Sequence, residues 1–233
     1  MNRYALKFYK TGNMRFISHL DLQRMFRRCL RRADIRPAFT QGFNPHERLN
    51  LVQPLTLGFE GKNEIFEIIS EYGYSPEELI ERLNSTLPEG IRFFDCKTLT
   101  MSSKNLSSVV KSAEYEIIFK YQNPDNHQID IEKFLNKEEI TILKKDKKTK
   151  QLKEKNVKDM VYSFRIEEYG EGSLKLNARL ACAGNNSLNP SSLCEAFASF
   201  CGIEFLKDES HFTRLGFYYD KEGRDEDLWN IED

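Results

Sequence analysis

The sequence predicts an α+β protein made of two tandem ferredoxin-like (split βαβ) domains. Residues 1–100 follow the order strand, helix, strand, strand, helix, strand, which is the order of a split βαβ domain. A similar order follows in residues 113–220, and a chain of 233 residues with 39% hydrophobic side chains can bury a sizeable core. We expect the serine-rich residues 101–112 to form a linker and residues 221–233 to form an acidic tail.

Each element of the first domain has a local signal. Alternating polar and apolar residues predict strands, Gly58 and Gly61 indicate a hairpin, and Pro76 after Ser75 begins the second helix. The predicted elements are a strand at Tyr4–Tyr9, a helix at 19–33, strands at Leu49–Leu57 and Glu64–Ser70, a helix from Ser75 to Leu87, and a strand at Ile91–Leu99.

The second domain repeats this order less regularly, without a residue-level repeat. Gly170 and Gly172 separate two of its strands, and Asn189 with Pro190 begins its longest helix. The predicted elements are a strand at Tyr115–Tyr121, a helix at Ile129–Leu135, a strand at Ile140–Lys144, paired strands at Val161–Glu168 and Ser173–Ala181, a helix from Asn189 to Phe200, and one or two strands in Glu204–Tyr219.

The helix at 19–33 has a basic side and an apolar side. Ser18 is placed to cap its first turn, and Asp21 complements the positive helix end. The basic side carries Arg24, Arg27, Arg28, Arg31 and Arg32. A solvated surface is the ordinary interpretation of a charged helix face, but this one uses arginine and has no acids four residues away to pair with. We therefore expect it to recognise phosphate or carboxylate groups.

Charge is distributed unevenly along the chain. Residues 1–48 contain eleven Lys or Arg and three acids, a local charge of +8, whereas residues 220–233 contain seven acids and two bases. Such an asymmetry predicts an anionic partner for the first domain, and we favour RNA. No segment has the apolar face that membrane-surface binding requires. The segment Lys144–Lys158 has eight lysines and two acids, and we interpret it as a flexible solvated hairpin, with an RNA-contacting arm as the alternative.

Several protein classes are disfavoured by composition. The five cysteines are scattered and form no close pair, which argues against a disulfide framework, an iron–sulfur cluster or a structural zinc site. We expect no cofactor and no metal. No apolar run approaches the length of a membrane span, and Met1–Lys10 is too charged for a secretory leader, so we expect a cytoplasmic protein.

The loop from Thr40 to Arg48 is the second candidate binding element. Gly42 allows an unusual backbone angle, and Asn44 before Pro45 favours a turn. Polar side chains suited to a base edge or a ribose are Gln41, Asn44, His46 and Arg48. Phe43 either stacks on a base or fills the core. A loop that simply leads into a strand is the structural alternative.

Two histidines are weaker, catalytic candidates. His19 and His46 could serve as acid and base in phosphodiester cleavage, with Arg15 or Arg48 stabilising the developing charge. A capping or buried role for His19 is the more common one for such a residue. A metal site made by His19, Asp21 and His46 has no recognised ligand spacing.

Three blocks of sequence resemble the radical SAM-linked protein family. They are Arg15-Phe16-Ile17-Ser18-His19-Leu20-Asp21 with the arginine helix, Gln41-Gly42-Phe43-Asn44-Pro45-His46, and Pro54-Leu55-Thr56-Leu57-Gly58. The resemblance implies a companion of a separate radical S-adenosylmethionine (radical SAM) enzyme, which would carry any iron–sulfur cluster. The order of elements is also similar to that of tandem ferredoxin-like RNA-binding proteins of bacterial CRISPR systems, a likeness at the level of fold.

Three functions follow as expectations. The leading one is an accessory RNA-binding protein that acts with a radical SAM enzyme through Arg15, the arginine helix and the Gln41–Arg48 loop. The first alternative is a metal-independent endoribonuclease that uses His19 and His46. The second alternative is a protein-interaction module whose arginine face docks on the radical SAM partner without nucleic acid.

Overall fold

The computed structural model describes residues 1–123, 127–145, 151–184 and 186–231, and these form an α+β structure. In chain order the elements are β1 (Asn2–Lys10), α1 (His19–Arg32), β2 (Leu49–Leu51), β3 (Glu60–Ser70), α2 (Pro76–Asn84), β4 (Ile91–Leu99), α3 (Leu106–Val109), β5 (Val110–Gln122), α4 (Ile131–Leu135), β6 (Thr141–Lys145), β7 (Leu152–Asn156), β8 (Val161–Gly170), β9 (Ser173–Ala183), β10 (Asn186–Ser187), α5 (Pro190–Cys201), β11 (Glu204–Phe205), β12 (His211–Lys221) and β13 (Arg224–Asp227). The α+β class is therefore confirmed.

The chain divides into two compact units. The first contains Met1–Val110 together with Arg214–Asp233, and the second contains Lys111–Thr213. The first unit thus includes both ends of the chain, unlike the expected division at residues 100 and 113.

In the first unit, β1 is the central strand of a sheet. It pairs antiparallel with β3 on one side and with β4 on the other, while β2 pairs antiparallel with β3. β12 also lies next to β3. Alternate residues of β1 enter the core, where the Phe8 ring meets the Phe26 ring of α1 with 5.2 Å between centroids. The inward-facing residues of β1 and the apolar side of α1 therefore pack against each other on one face of the sheet.

The start of α1 agrees with the cap that the sequence predicts at Ser18. The Ser18 hydroxyl accepts from the amide of Asp21 at 3.2 Å and donates to the Asp21 carboxylate at 2.8 Å. This capping arrangement satisfies first-turn groups that have no partner inside a helix. The buried residues of the helix are Leu22, Phe26, Cys29 and Leu30. The predicted amphipathic helix is confirmed, and its basic side faces away from the core.

In the second unit, β9 lies between β5 and β8 and pairs antiparallel with both. The short strands β10 and β11 add to β9 and β5. The strand expected near Ile140 is present as β6, but it pairs with β7 in a separate two-stranded sheet. Because β6 and β7 consist largely of polar residues, they have few side chains to bury in a larger sheet. The finer prediction of two tandem ferredoxin-like domains is not confirmed.

The expected linker and tail both contain regular structure. Residues 101–112 include α3, whose Leu106 is buried, and the start of β5. Residues 221–231 include β13, which pairs with β12, and a short 3-10 helix in which Leu228 is fully buried. Residues 221–231 were expected to be a tail because most of them are polar or acidic, but the buried Leu228 holds this segment against the first unit. Among the described residues, no helix is long and apolar enough to cross a bilayer.

Candidate functional site

The arginines of α1 differ in their partners within the protein. Arg24 lies 3.1 Å from the carboxylate of Asp21, and both side chains are exposed. Arg27 lies 3.5 Å from the carboxylate of Glu47. No acid lies four residues from any of these arginines, and the two carboxylates come from other positions. One acid precedes Arg24 by three residues, and the other belongs to the loop that packs beside the helix.

The other three arginines border an open cavity on the first unit. Arg32 donates to the carbonyl of Thr86, which holds its guanidinium at the edge. Arg28 and Arg31 are exposed, and neither forms an ion pair with a carboxylate in the described part of the chain. The cavity has a volume of about 730 Å³, and its lining is Met25, Arg28, Arg31, Arg32, Thr86, Leu87 and Pro88. Three guanidinium groups around one opening favour an anionic ligand.

The segment Gln41–His46 is an exposed loop that is closed at Thr40. The Thr40 amide donates to the carbonyl of His46 at 2.9 Å, and the His46 amide donates to the Thr40 hydroxyl at 3.0 Å. Gly42 has φ of 127°, a conformation that favours glycine. Phe43 is completely exposed, so it does not fill the core.

A second cavity lies between α1, this loop and the segment before α3. Its volume is about 670 Å³, and its lining is Arg3, Arg27, Thr40, His46, Glu47, Arg48, Leu49, Asn50, Glu67, Ile69, Met101, Ser103, Asn105 and Ser107. The cavity therefore brings Arg27 of the helix together with His46 and Arg48 of the loop region. Arg24, Gln41, Phe43 and Asn44 line neither cavity.

A buried ion pair supports the second cavity. Arg3 donates to the Glu67 carboxylate at 2.6 Å, and both side chains are largely shielded from solvent. The same guanidinium donates to the carbonyls of Ser103 at 2.8 Å and Lys104 at 3.1 Å. Because these bonds join β1 and β3 to the segment before α3, they fix one wall of the cavity.

His19 belongs to a different, buried polar cluster under the start of α1. Lys10 is buried and donates to the carbonyls of Arg15 at 3.3 Å and Ile17 at 3.2 Å. Burial lowers the pKa of Lys10, against the opposing effect of Glu64. Burial also lowers the pKa of His19, helped by the positive charges of Arg214 and Lys10. All three influences disfavour the protonated form of the His19 imidazole.

The two candidate catalytic histidines are not brought into one site. His19 lines an enclosed space of about 10 Å³ with Lys10 and Glu64, whereas His46 lines the second cavity. The described residues contain no group of three His, Cys, Asp or Glu side chains that could hold a metal ion. Thus His19, Asp21 and His46 do not form the ligand cluster considered from sequence.

The remaining predicted residues lie elsewhere. The guanidinium of Arg15 stacks over the Phe16 ring, 4.7 Å from its centroid, in a short 3-10 helix at Gly12–Phe16. The lysine-rich segment includes β7 and the end of β6, and its residues 146–150 lie outside the described residues.

Sequence reasoning missed the buried charges of this unit. They are Arg3, Lys10, Glu64, Glu67 and Arg214. A signal for two of them is present, because Glu64 and Glu67 interrupt the apolar run of β3. A carboxylate inside a buried strand needs a cationic partner, but the sequence does not say which one.

Comparisons with known proteins add a family and a fold likeness. A family model described as "Uncharacterized protein conserved in bacteria (DUF2344)" matches residues 3–190. None of the curated proteins compared with the chain matches it.

A chain in the crystal structure of a Cbf5–Nop10–Gar1 complex is similar with a TM-score of 0.50 and 9% identity, and the match covers 92% of this chain and 48% of that one. This chain thus spans about half the length of that relative, and the likeness concerns the fold alone. A crystal structure of an unknown protein from Galdieria sulphuraria matches with a TM-score of 0.28 and 8% identity, covering 92% of this chain and 98% of that one.

Proposed function

The chain belongs to the DUF2344 family of proteins conserved in bacteria, and from its surface we propose that it binds RNA as the accessory partner of a separate radical SAM enzyme. The basic side of α1 holds the RNA backbone in this proposal. The loop at Gln41–His46 and Arg48 contributes contacts to bases and ribose.

The observation that carries this proposal is that Arg28 and Arg31 are exposed and form no ion pair with a described carboxylate. Both line an open cavity of about 730 Å³. An arginine guanidinium presents several donors in a planar fork that matches two phosphate oxygens. A cluster of like charges costs free energy by mutual repulsion, which an anionic ligand relieves.

Exposed aromatic and amide groups favour RNA over a small anion. Phe43 is completely exposed and Phe39 is exposed over 55% of its surface. Gln41 and Asn44 are exposed on the same loop as Phe43. Aromatic rings beside cationic and amide side chains are the usual means by which proteins stack and read unpaired bases.

RNA binding can be tested with the double variant Arg28→Glu, Arg31→Glu. Fluorescence anisotropy with a labelled RNA should show binding at low salt that weakens as salt increases, because phosphate contacts release counterions. The double variant should bind at least about tenfold more weakly, with a shallower salt slope by about 0.7 for each lost contact to a single strand. Arg92→Glu is the matched control, since Arg92 is an exposed arginine of β4 outside both cavities.

Absence of RNA binding by the wild-type protein at low ionic strength would reject the proposal. Equal loss of affinity in the Arg92→Glu control would show a nonspecific effect of net charge instead of a site. Circular dichroism of each variant should match the wild type, because all three side chains are exposed.

The radical SAM part of the proposal rests on the resemblance of residues 15–21, 41–46 and 54–58 to radical SAM-linked proteins. It predicts that a radical SAM enzyme co-purifies with the tagged protein after nuclease treatment. Co-purification that depends on Arg28 and Arg31 in a protein that binds no RNA would favour the pure protein-interaction module instead. The endoribonuclease is not part of the proposal, because His19 and His46 line different cavities.

A further inference from the structure

The second cavity, between α1 and the Gln41–His46 loop, has the size of a nucleotide site. Its volume of about 670 Å³ lies within the roughly 300–1,000 Å³ typical of small-ligand pockets. Its walls come from β1, β2, β3 and the segment before α3 on one side, and from α1 and the loop region Thr40–Arg48 on the other. The bonds of Arg3 to Glu67, Ser103 and Lys104 hold the first of these sides together.

Two guanidinium groups of this cavity have unmet hydrogen-bonding capacity. The Nε of Arg27 is buried 3.5 Å from the Glu47 carboxylate, whereas the Arg27 side chain is 34% exposed, so its terminal nitrogens are the donors open to a ligand. The described hydrogen bond of the Arg48 guanidinium is from Nη1 to the Met1 sulfur at 3.4 Å, and a thioether is a weak acceptor. Guanidinium donors that are open to a ligand and have no strong acceptor suit a phosphate oxygen.

Two asparagine side chains line the same cavity, and in each of them one atom of the amide group forms a hydrogen bond within the protein. Asn50 donates from Nδ2 to the Ser107 hydroxyl at 2.7 Å, and Asn105 accepts at Oδ1 from the Ser107 amide at 3.0 Å. The Asn50 Oδ1 and the Asn105 Nδ2 have no partner among the described residues. These two ends supply one acceptor and one donor, held in place by Ser107, and that combination suits the edge of a base.

We propose that this cavity takes up a single unpaired nucleotide of the bound RNA, an inference that rests on the proposed RNA binding. Its phosphate contacts Arg27 and Arg48, and its base lies against Asn50 and Asn105. A base inside a duplex is stacked on both faces and paired along its edge, so it cannot enter such a cavity. The substrate class is therefore single-stranded or looped RNA, with exposed Phe43 available to stack on an adjacent base.

The test compares a labelled single-stranded RNA with the same strand annealed to its complement. We expect the single strand to bind at least about tenfold more tightly, because only it can place a base in the cavity and another on Phe43. Arg48→Ala should weaken single-strand binding about tenfold and reduce the preference over duplex. Arg92→Ala, an exposed arginine that lines neither cavity, should leave both affinities unchanged.

Phe43→Ala is a second variant that cannot disturb folding through lost contacts, since the ring is completely exposed. It should weaken single-strand binding by about fivefold or more and leave duplex binding unchanged. Nucleoside monophosphates at millimolar concentration should displace the single strand more effectively than inorganic phosphate does.

Three results would overturn the nucleotide site while leaving RNA binding intact. They are equal affinity for single strand and duplex, an equal effect of Arg48→Ala on both, and displacement by inorganic phosphate as effective as by nucleoside monophosphates. Complete absence of RNA binding at low salt is a different result, which rejects the proposed function itself. Each outcome therefore assigns the failure to one proposal.

Discussion

At the scale of single residues, the ion pair of Glu64 and Arg214 shows how the first unit accommodates charge in its interior. The guanidinium donates from Nε to Glu64 Oε1 at 2.8 Å and from Nη2 to Oε2 at 2.6 Å, with side chains only 2% and 5% exposed. Two more of its N–H groups reach the carbonyls of Pro54 at 3.1 Å and Gln53 at 3.2 Å. A buried charge is tolerated where a counter-charge and hydrogen-bond acceptors such as these surround it.

Glu64→Gln should therefore destabilise the protein strongly. The substitution keeps the size of the side chain but removes the negative charge of the buried pair with Arg214, and breaking a buried ion pair costs about 3–5 kcal/mol. Urea unfolding followed by circular dichroism measures the change in the free energy of unfolding. Glu195→Gln is the control, because Glu195 pairs with Lys207 at 2.8 Å on the exposed surface, where such pairs contribute less than about 1 kcal/mol. Similar small losses in both variants would contradict this account.

At the scale of secondary structure, α1 serves both the core and the surface. Its apolar stripe covers one face of the sheet, and four of its five arginines line cavities, Arg27 one of them and Arg28, Arg31 and Arg32 the other. A helix has neighbouring residues on different sides, so one element can border two sites. The position of these guanidinium groups then depends on how firmly the helix begins at His19.

Ser18→Ala should loosen that beginning. The variant removes the hydroxyl that accepts from the Asp21 amide, and loss of such a cap costs about 0.5–2 kcal/mol. Thermal unfolding should show a lower midpoint, and hydrogen exchange should be faster in the first turn of α1. Ser85→Ala is the control, since the Ser85 hydroxyl donates to the Arg82 carbonyl at the end of α2 and caps no helix start. An unchanged exchange rate in the first turn of α1 would refute the capping role.

At the scale of the whole molecule, the chain returns to the unit in which it began. The segment from Arg214 onward belongs to the first unit. There Lys97 donates to the carbonyls of Trp229 at 2.6 Å and Ile231 at 3.0 Å, and the Trp229 ring lies 4.9 Å from the ammonium of Lys7. The acidic residues of 220–231 and the basic residues of 1–48 are therefore in one unit, so the charge asymmetry along the chain does not separate the two units.

Leu228→Ala should consequently destabilise the first unit. Leu228 is fully buried, and truncating a buried leucine to alanine costs about 2–5 kcal/mol through lost burial and the resulting cavity. A chain that ends at Lys221 should be destabilised further, with faster hydrogen exchange in β1 and β4. Tyr169→Ala, at a side chain that is 71% exposed, should change the free energy of unfolding by less than about 0.5 kcal/mol. Wild-type stability of the shortened chain would show that the segment is a tail after all.

The local elements were predictable because each depends on neighbouring residues. Short stretches of sequence predict the cap at Ser18, the apolar stripe of α1 and the hairpin of β8 and β9. The structure has each of them at the predicted position. The polar composition of the last residues concealed the burial of Leu228, since composition does not show which single side chains are covered.

By itself the sequence determined the α+β class, the bounds of α1 and its basic face, because periodicity and capping act over a few residues. Only the tertiary structure decided that Arg27 meets Glu47, that Asn50 and Asn105 share a cavity, and that Glu64 pairs with Arg214 across 150 residues. Contacts between distant residues depend on how strands pair and helices pack on them. Many pairings satisfy the same local pattern, and burial of the whole chain selects one of them.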